Sequence, residues 1–204
     1  MEYAVGGKSS TSSSTSDSTP EWKYDVFLSF AGKDTCLKFT GHLDDAFIKS
    51  GINTLRDDVD FERGGAIKDD LFQAIEDSLC SVLVISENYA NSTWCLEELQ
   101  KILESKKKLG RRVFPIFYDV DPADVRKQQN SFGKALAEHE DKFGKDAEKV
   151  QNWKNVLFEI GKLAGWDTRS KYILTQLAKR EDLRFGRCRK MAQILTWAYF
   201  TVNT

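Results

Sequence analysis

Apolar and polar positions divide the chain into a polar N-terminal segment and a longer region where apolar runs alternate with helical periods. Short, nearly continuous apolar runs predict strands, and apolar residues spaced three or four apart predict helices. The predicted strands are Tyr24–Phe30, Ile52–Leu55, Cys80–Ile85 and Val113–Tyr118. The predicted helices are Cys36–Lys49, Ala66–Ser78, Trp94–Leu109, Asn130–His139 and Lys149–Leu163. Apolar strands separated by helices are typical of a parallel sheet covered on both faces, which predicts an α/β fold.

The same pattern predicts the domain organisation. Residues 1–21 are rich in Ser and Thr with few large apolar side chains, so they cannot offset the entropy of ordering and are expected to be disordered. Residues 22–170 are expected to form one domain. Residues 171–204 are basic and then apolar, with too few large side chains for a separate core. We expect a loosely ordered tail there and not the start of a nucleotide-binding switch domain.

Composition and charge argue against several classes of partner. The net charge of the 204 residues is −1, with both signs interspersed, which argues against a nucleic-acid partner. The N-terminus has no secretory signal, and the apolar run 194–202 is about half the length of a membrane span, so we expect a cytoplasmic protein without a membrane partner. The four cysteines lack metal-ligand spacing and are expected to be reduced thiols: Cys36, Cys80, Cys95 and Cys188.

The clearest candidate for chemistry is a carboxylate near the start of the third predicted helix. Adjacent helical residues diverge by about 100°, so Glu97 and Glu98 cannot face one another. Glu97 has Lys101 four residues on, which predicts an ordinary solvated ion pair. Glu98 instead shares its face with Trp94 and Ile102. Because ligands bind at the carboxyl edge of open parallel sheets, Glu98 is expected either to face a ligand or to be a rim residue pointing into water.

Other polar clusters do not predict a site. Asp58, Asp60 and Glu62 have calcium-loop spacing, but the glycine comes one place late and no acid closes the loop, so no metal is expected. The aspartates that follow the fourth strand, near Asp121-Pro122, are typical of turn chemistry. The two histidines lie in predicted helices without a neighbouring nucleophile, which argues against a catalytic triad.

A series of short motifs runs in order from residue 24 to residue 167. Among them are Tyr24-Asp25-Val26-Phe27-Leu28-Ser29-Phe30, Gly51-Ile52-Asn53-Thr54, Ser86-Glu87-Asn88-Tyr89-Ala90, Trp94-Cys95-Leu96-Glu97-Glu98-Leu99, Phe117-Tyr118-Asp119-Val120-Asp121-Pro122 and Ala164-Gly165-Trp166. In content and order they resemble the plant-type Toll/interleukin-1 receptor (TIR) domains of the disease-resistance family. The resemblance implies a flavodoxin-like three-layer fold with a five-stranded parallel sheet of order 2-1-3-4-5, the fifth strand lying near Trp166.

The resemblance also implies an activity. Many plant TIR domains, once assembled, cleave the bond between nicotinamide and ribose in NAD, so NAD is implied as a substrate and no cofactor is expected. The family's catalytic glutamate falls on Glu98. Nicotinamide leaves as a neutral group, so one carboxylate suffices to stabilise an oxocarbenium-like ribose. The implied substrate-binding residues are Phe30, Ala31, Gly32, Trp94, Arg63 and Gly64.

The resemblance also bears on self-association and on the residue at position 31. The resemblance implies association with itself and with other TIR domains through the first helix near Gly41 and His42, through Lys149–Leu163, and through a second face that includes Ser131–His139 and Gly165. The family usually has arginine where this chain has Ala31, and a missing charge-assisted hydrogen bond typically costs ~1.5–3 kcal/mol. Two classes of function therefore stay open: an NAD-cleaving enzyme of plant innate immune signalling, or a non-catalytic module that joins or regulates TIR assemblies.

Overall fold

Five parallel strands form a single sheet in the computed structural model, which describes residues 22–32, 39–56, 65–169, 190 and 193–195. The order β2-β1-β3-β4-β5 confirms the α/β fold and the flavodoxin-like arrangement. In the central register, Val26 lies beside Thr54 and Cys80, and Val82 lies beside Phe114. The strands are β1 (Tyr24–Phe30), β2 (Thr54–Arg56), β3 (Ser78–Ile85), β4 (Arg112–Phe117) and β5 (Trp166–Asp167).

Helices connect these strands on both faces of the sheet. They are α1 (Phe39–Lys49), α2 (Gly65–Glu76), α3 (Thr93–Leu109), α4 (Pro122–Lys127), α5 (Asn130–Phe143) and α6 (Glu148–Ile160). The predicted helices agree with α1, α2, α3, α5 and α6 to within a few residues at each end, but α4 was not predicted. The Asp121 carboxylate accepts a hydrogen bond from the Ala123 amide at 2.7 Å, and Pro122 occupies the first turn. The Asp121 side chain therefore bonds a nearby amide, as turn chemistry predicts, and the same bond caps the start of a short helix.

The sheet separates two apolar clusters, because successive side chains of a strand point to opposite faces. Val26 and Leu28 of β1 pack on one face with α1, and Phe27 packs on the other face with residues of α2 to α6. Helices α1 and α6 therefore lie on opposite faces of the sheet. The two surfaces expected to mediate self-association, at Gly41–His42 and at Lys149–Leu163, are not side by side on one domain.

Part of the predicted tail packs against the domain. Ile194 is 8% exposed and Leu195 is 2% exposed, and both belong to the apolar cluster on the α1 face. The Lys190 ammonium donates a hydrogen bond to the Ser50 carbonyl at the end of α1. The domain boundary at residue 170 and the loosely ordered tail stay predictions, but Ile194 and Leu195 pack in the core of the domain.

Two further expectations concern membranes and cysteines. Over the residues described, no helix combines the length and the apolar character needed to cross a bilayer. Cys80 and Cys95 are both buried. Cys36 and Cys188 lie outside the described residues.

Candidate active site

A serine cap fixes the start of the helix that carries Glu98. Ser92 has an extended backbone (φ −85°, ψ 114°), and its hydroxyl accepts a hydrogen bond from the Cys95 amide at 3.2 Å. A serine at this position typically stabilises a helix by about 1 kcal/mol. Because α3 follows β3 after a short 3₁₀ turn, the cap places Glu98 at the carboxyl edge of the sheet, where open α/β folds bind ligands.

Two hydrogen-bond donors among the described residues, Ser29 and Trp94, hold Glu98 in place. One carboxylate oxygen, Oε2, accepts a hydrogen bond from the Ser29 hydroxyl at 2.7 Å. The other, Oε1, accepts one from the Trp94 indole at 2.9 Å. Glu98 is only 1% exposed. Of the two alternatives left open by the sequence, the rim residue pointing into water is therefore wrong.

Glu97 has a different environment, and its predicted partner is wrong. Its carboxylate forms ion pairs with Lys68 of α2 and with Lys149 of α6, the latter at 2.6 Å. Lys101, the expected partner, pairs with Glu76 instead. Burial acts to raise the pKa of Glu97, but the hydrogen bonds from Lys149 and Lys68 outweigh it and hold that pKa below its ordinary value. The pairs therefore stabilise the fold at neutral pH and lose this effect as the pH falls through the folded-state pKa.

The predicted substrate-binding residues are brought together only in part. Phe30, Ala31 and Gly32 follow Ser29 at the carboxyl end of β1, and the Cys95 thiol lies 3.6 Å from the Phe30 carbonyl oxygen. The end of β1 and the first turns of α3, including Trp94, therefore meet at one edge. Arg63 and Gly64, the other two implied substrate-binding residues, lie outside the described residues.

Two residues of the site, Ser29 and Tyr89, were not among those predicted from the sequence. Both are buried, with their hydroxyl oxygens 3.0 Å apart. The Tyr89 hydroxyl also lies 3.3 Å from the Cys95 carbonyl oxygen. A signal was available: Ser29 interrupts an otherwise apolar stretch of strand, and a buried hydroxyl requires a hydrogen-bond partner.

The Glu98 carboxylate with its fixed donors determines the chemistry available at this part of the edge. A carboxylate oxygen can accept more than one hydrogen bond, so the Glu98 group can in addition accept from sugar hydroxyls or stabilise a developing positive charge. Over the same described residues, no three His, Cys, Asp or Glu side chains are grouped to hold a metal ion.

The three predicted self-association residues occupy two regions of the fold. Gly41 is half-buried and His42 is exposed on α1, while Gly165 lies directly before β5. A Cβ atom added at Gly165 would meet the Pro115 carbonyl oxygen at 2.4 Å and the Phe117 ring at 2.9 Å. Gly165 therefore has a packing role, since it allows β5 to approach β4.

We expect Gly165→Ala to destabilise the isolated domain by about 1–3 kcal/mol, because the added methyl group overpacks a rigid backbone contact. Urea and thermal denaturation measure this, with the exposed neighbour Ala164→Ser as the control. If Gly165→Ala unfolds like the wild type but associates less, the residue acts at an interface and its packing role is wrong.

Known proteins resemble this chain in both sequence and structure. The model of the TIR domain family matches residues 23–180. Disease resistance protein RPV1 of Vitis rotundifolia is 51% identical over 159 residues, which is 78% of this chain and 11% of that protein. TMV resistance protein N of Nicotiana glutinosa is 49% identical over 158 residues, 77% of this chain and 14% of that protein. The chain thus spans less than a sixth of the length of either curated relative.

A solved structure of plant TIR domains also resembles this chain. The TIR domains of the activated Roq1 resistosome, which directly recognises the pathogen effector XopQ, are 42% identical to this chain with a TM-score of 0.68. The match covers 85% of this chain and 98% of that one.

Proposed function

The chain belongs to the TIR domain family, with relatives among plant disease-resistance proteins, and on that premise we propose that it cleaves NAD when several copies assemble. The proposed setting is plant innate immune signalling. One observation carries the proposal: Glu98, at the carboxyl edge of the sheet, is held between a serine hydroxyl and an indole.

The proposed reaction needs what this carboxylate provides. The bond between C1′ of the ribose and the ring nitrogen breaks, and its electron pair leaves with neutral nicotinamide. The ribose becomes oxocarbenium-like, and water then adds at C1′ and releases a proton, giving ADP-ribose. A fixed negative charge beside C1′ stabilises this transition state without serving as an acid for the leaving group. Trp94 can shield the site from water or stack on a ring.

Burial of Glu98 supports a requirement for assembly. A side chain that is 1% exposed cannot contact a ribose without a rearrangement of its surroundings. We propose that contacts between copies supply this rearrangement, and that the isolated domain turns over NAD slowly. The resemblance to the TIR domains of an activated resistosome supports this view.

Nicotinamide release, followed by chromatography at increasing protein concentrations with and without a crowding agent, tests the proposal. Light scattering on the same samples gives the association state. We expect turnover per copy to rise as oligomers form, with micromolar or weaker affinity. A protein that stays monomeric at several hundred micromolar, an order-of-magnitude choice from affinity arithmetic, would contradict the assembly step.

A second candidate function is a TIR module that joins or regulates assemblies without turnover. Ala31 favours this second function, because members of the family usually have at this position an arginine that reaches toward the nucleotide, and this chain does not. Ala31 is 5% exposed and packs in the apolar cluster on the α3 face, so no charge is supplied from this position.

Ala31→Arg distinguishes the two functions. We expect the new guanidinium to raise turnover about tenfold to a hundredfold, the effect of one charge-assisted hydrogen bond. The measurement is nicotinamide release under assembling conditions, with Ala31→Met as a control of similar length without charge. Melting temperatures of both variants are needed because the position is buried and the charged end must extend to water. If the wild type and Ala31→Arg are both inactive while assembled, the interaction module is the better account.

A further inference from the structure

Three buried side chains contact one another in series, and the last of them is the Glu98 carboxylate. Tyr89, in the 3₁₀ turn Tyr89–Asn91, contacts Ser29 of β1, and Ser29 contacts Glu98 of α3. The two oxygen–oxygen distances are 3.0 Å and 2.7 Å. Three different elements of the fold therefore meet at these hydroxyl groups.

The direction of the two hydrogen bonds follows from counting protons. Ser29 gives its single hydroxyl proton to the Glu98 oxygen Oε2. Ser29 can then only accept from Tyr89, whose single proton has two acceptors within reach, the Ser29 oxygen at 3.0 Å and the Cys95 carbonyl oxygen. The Cys95 carbonyl, at 3.3 Å, is the longer alternative acceptor for the Tyr89 proton. A hydrogen-bond relay can thus run from Tyr89 through Ser29 to Glu98. A donor that itself accepts a hydrogen bond is strengthened by polarisation.

The geometry separates the role of Ser29 from that of Trp94. Trp94 lies one turn before Glu98 on the same helix, so its hydrogen bond moves with α3. Ser29 belongs to β1 and is followed closely by Ala31 and Gly32, the predicted substrate contacts. The Ser29 bond therefore fixes the carboxylate relative to the strand end where the substrate is expected.

We propose that Ser29, itself oriented by Tyr89, is a positioning residue that holds the Glu98 carboxylate where it stabilises the ribose. The inference rests on the proposed NAD cleavage. It assigns no bond-making step to either hydroxyl group.

Kinetics of Ser29→Ala, Tyr89→Phe and the double variant test the relay. We expect Ser29→Ala to lower kcat about tenfold to a hundredfold, the effect of losing one hydrogen bond to a charged group. KM should stay within about twofold, since no substrate contact is removed. Tyr89→Phe should have a smaller effect, and the double variant should be no slower than Ser29→Ala, because Tyr89 acts through Ser29. Additive losses in the double variant would contradict the relay.

Matched controls separate positioning from general damage to the core. Ser105→Ala makes the same buried change on α3, at a hydroxyl with no hydrogen-bond partner in the described part of the chain. Tyr24→Phe makes the same ring change at the opposite end of β1. Both controls should retain wild-type kcat. If Ser105→Ala slows the reaction as much as Ser29→Ala does, the effect of Ser29 is structural and the proposal is wrong.

A readout independent of activity distinguishes failure of the relay from failure of the proposed function. The indole N–H resonance of Trp94, assigned from its loss in Trp94→Phe, reports the position of Glu98 because the indole donates to Oε1. We expect Ser29→Ala to move this resonance, Tyr89→Phe to move it less and Ser105→Ala to leave it unchanged. A wild-type protein that is inactive while assembled overturns NAD cleavage, and the resonance then still decides the positioning role. The relay alone is overturned if Ser29→Ala leaves the indole resonance unmoved. It is also overturned if Ser29→Ala keeps wild-type kcat while Glu98→Gln is inactive.

Discussion

Glu98→Gln is expected to abolish NAD cleavage while the domain stays folded. Glutamine has the shape of glutamate but no negative charge, so the oxocarbenium-like ribose loses its stabilising group. Removing one such preorganised electrostatic contact typically costs about a hundredfold to a thousandfold in rate. Nicotinamide release under assembling conditions measures the loss, and circular dichroism with thermal denaturation shows whether the fold persists.

Glutamine is a better test than alanine because Glu98 is buried. The amide introduced by Glu98→Gln keeps an oxygen that can accept from Ser29 or from Trp94, whereas alanine leaves both donors without this acceptor. Each buried donor left unsatisfied costs about 1–3 kcal/mol. A rim carboxylate would have tolerated alanine with little loss of stability, and this carboxylate is not at the rim.

Glu97→Gln is the matched control for the site assignment. It makes the same chemical change one residue earlier, where the side chain faces Lys68 and Lys149 and not the strand end. We expect kcat to be retained and the melting temperature to fall, because the variant weakens contacts of α3 with α2 and α6. Turnover that survives Glu98→Gln, or that is lost equally in Glu97→Gln, would overturn the assignment of Glu98.

The fold was largely predictable because its signals are local. The continuous apolar runs of β1 and β3 and the helical periods between them follow from adjacent residues, and the strand order came from the resemblance. Helix α4 was missed since its six residues, Pro122–Lys127, are too few to show a period. Only the cap at Asp121 marks it, and the same residues are equally typical of a turn.

The site was less predictable because its contacts are long-range. Ser29 and Glu98 are 69 positions apart, and Ser29 and Tyr89 are 60 apart, so no spacing rule connects them. The Glu97 prediction was wrong for a related reason. Spacing along a helix identifies Lys101 as a neighbour, but Lys68 and Lys149 reach Glu97 from two other helices.

Apolar residues after residue 190 add to the core of the domain, although they are too few to form a separate core. The few large apolar side chains after residue 190 cannot build a separate core, and a loose tail followed from that. They are enough, however, to complete a core that already exists. Ile194 and Leu195 pack in the same cluster as Phe114 and Trp166, on the sheet face that α1 also covers. These residues therefore stabilise the domain without forming one of their own.

Leu195→Ala is accordingly expected to lower the free energy of unfolding by about 2–5 kcal/mol, the usual range for truncating a buried leucine. For a domain of this size that is a fall in melting temperature of roughly 4–20 °C. Thermal and urea denaturation measure it, with Gln193→Ala, exposed two positions earlier, as the control. Limited proteolysis should cut the wild type after residue 190 more slowly than it cuts Leu195→Ala. Equal stability of Leu195→Ala and the wild type would show that the segment is a detachable tail, as its composition alone suggested.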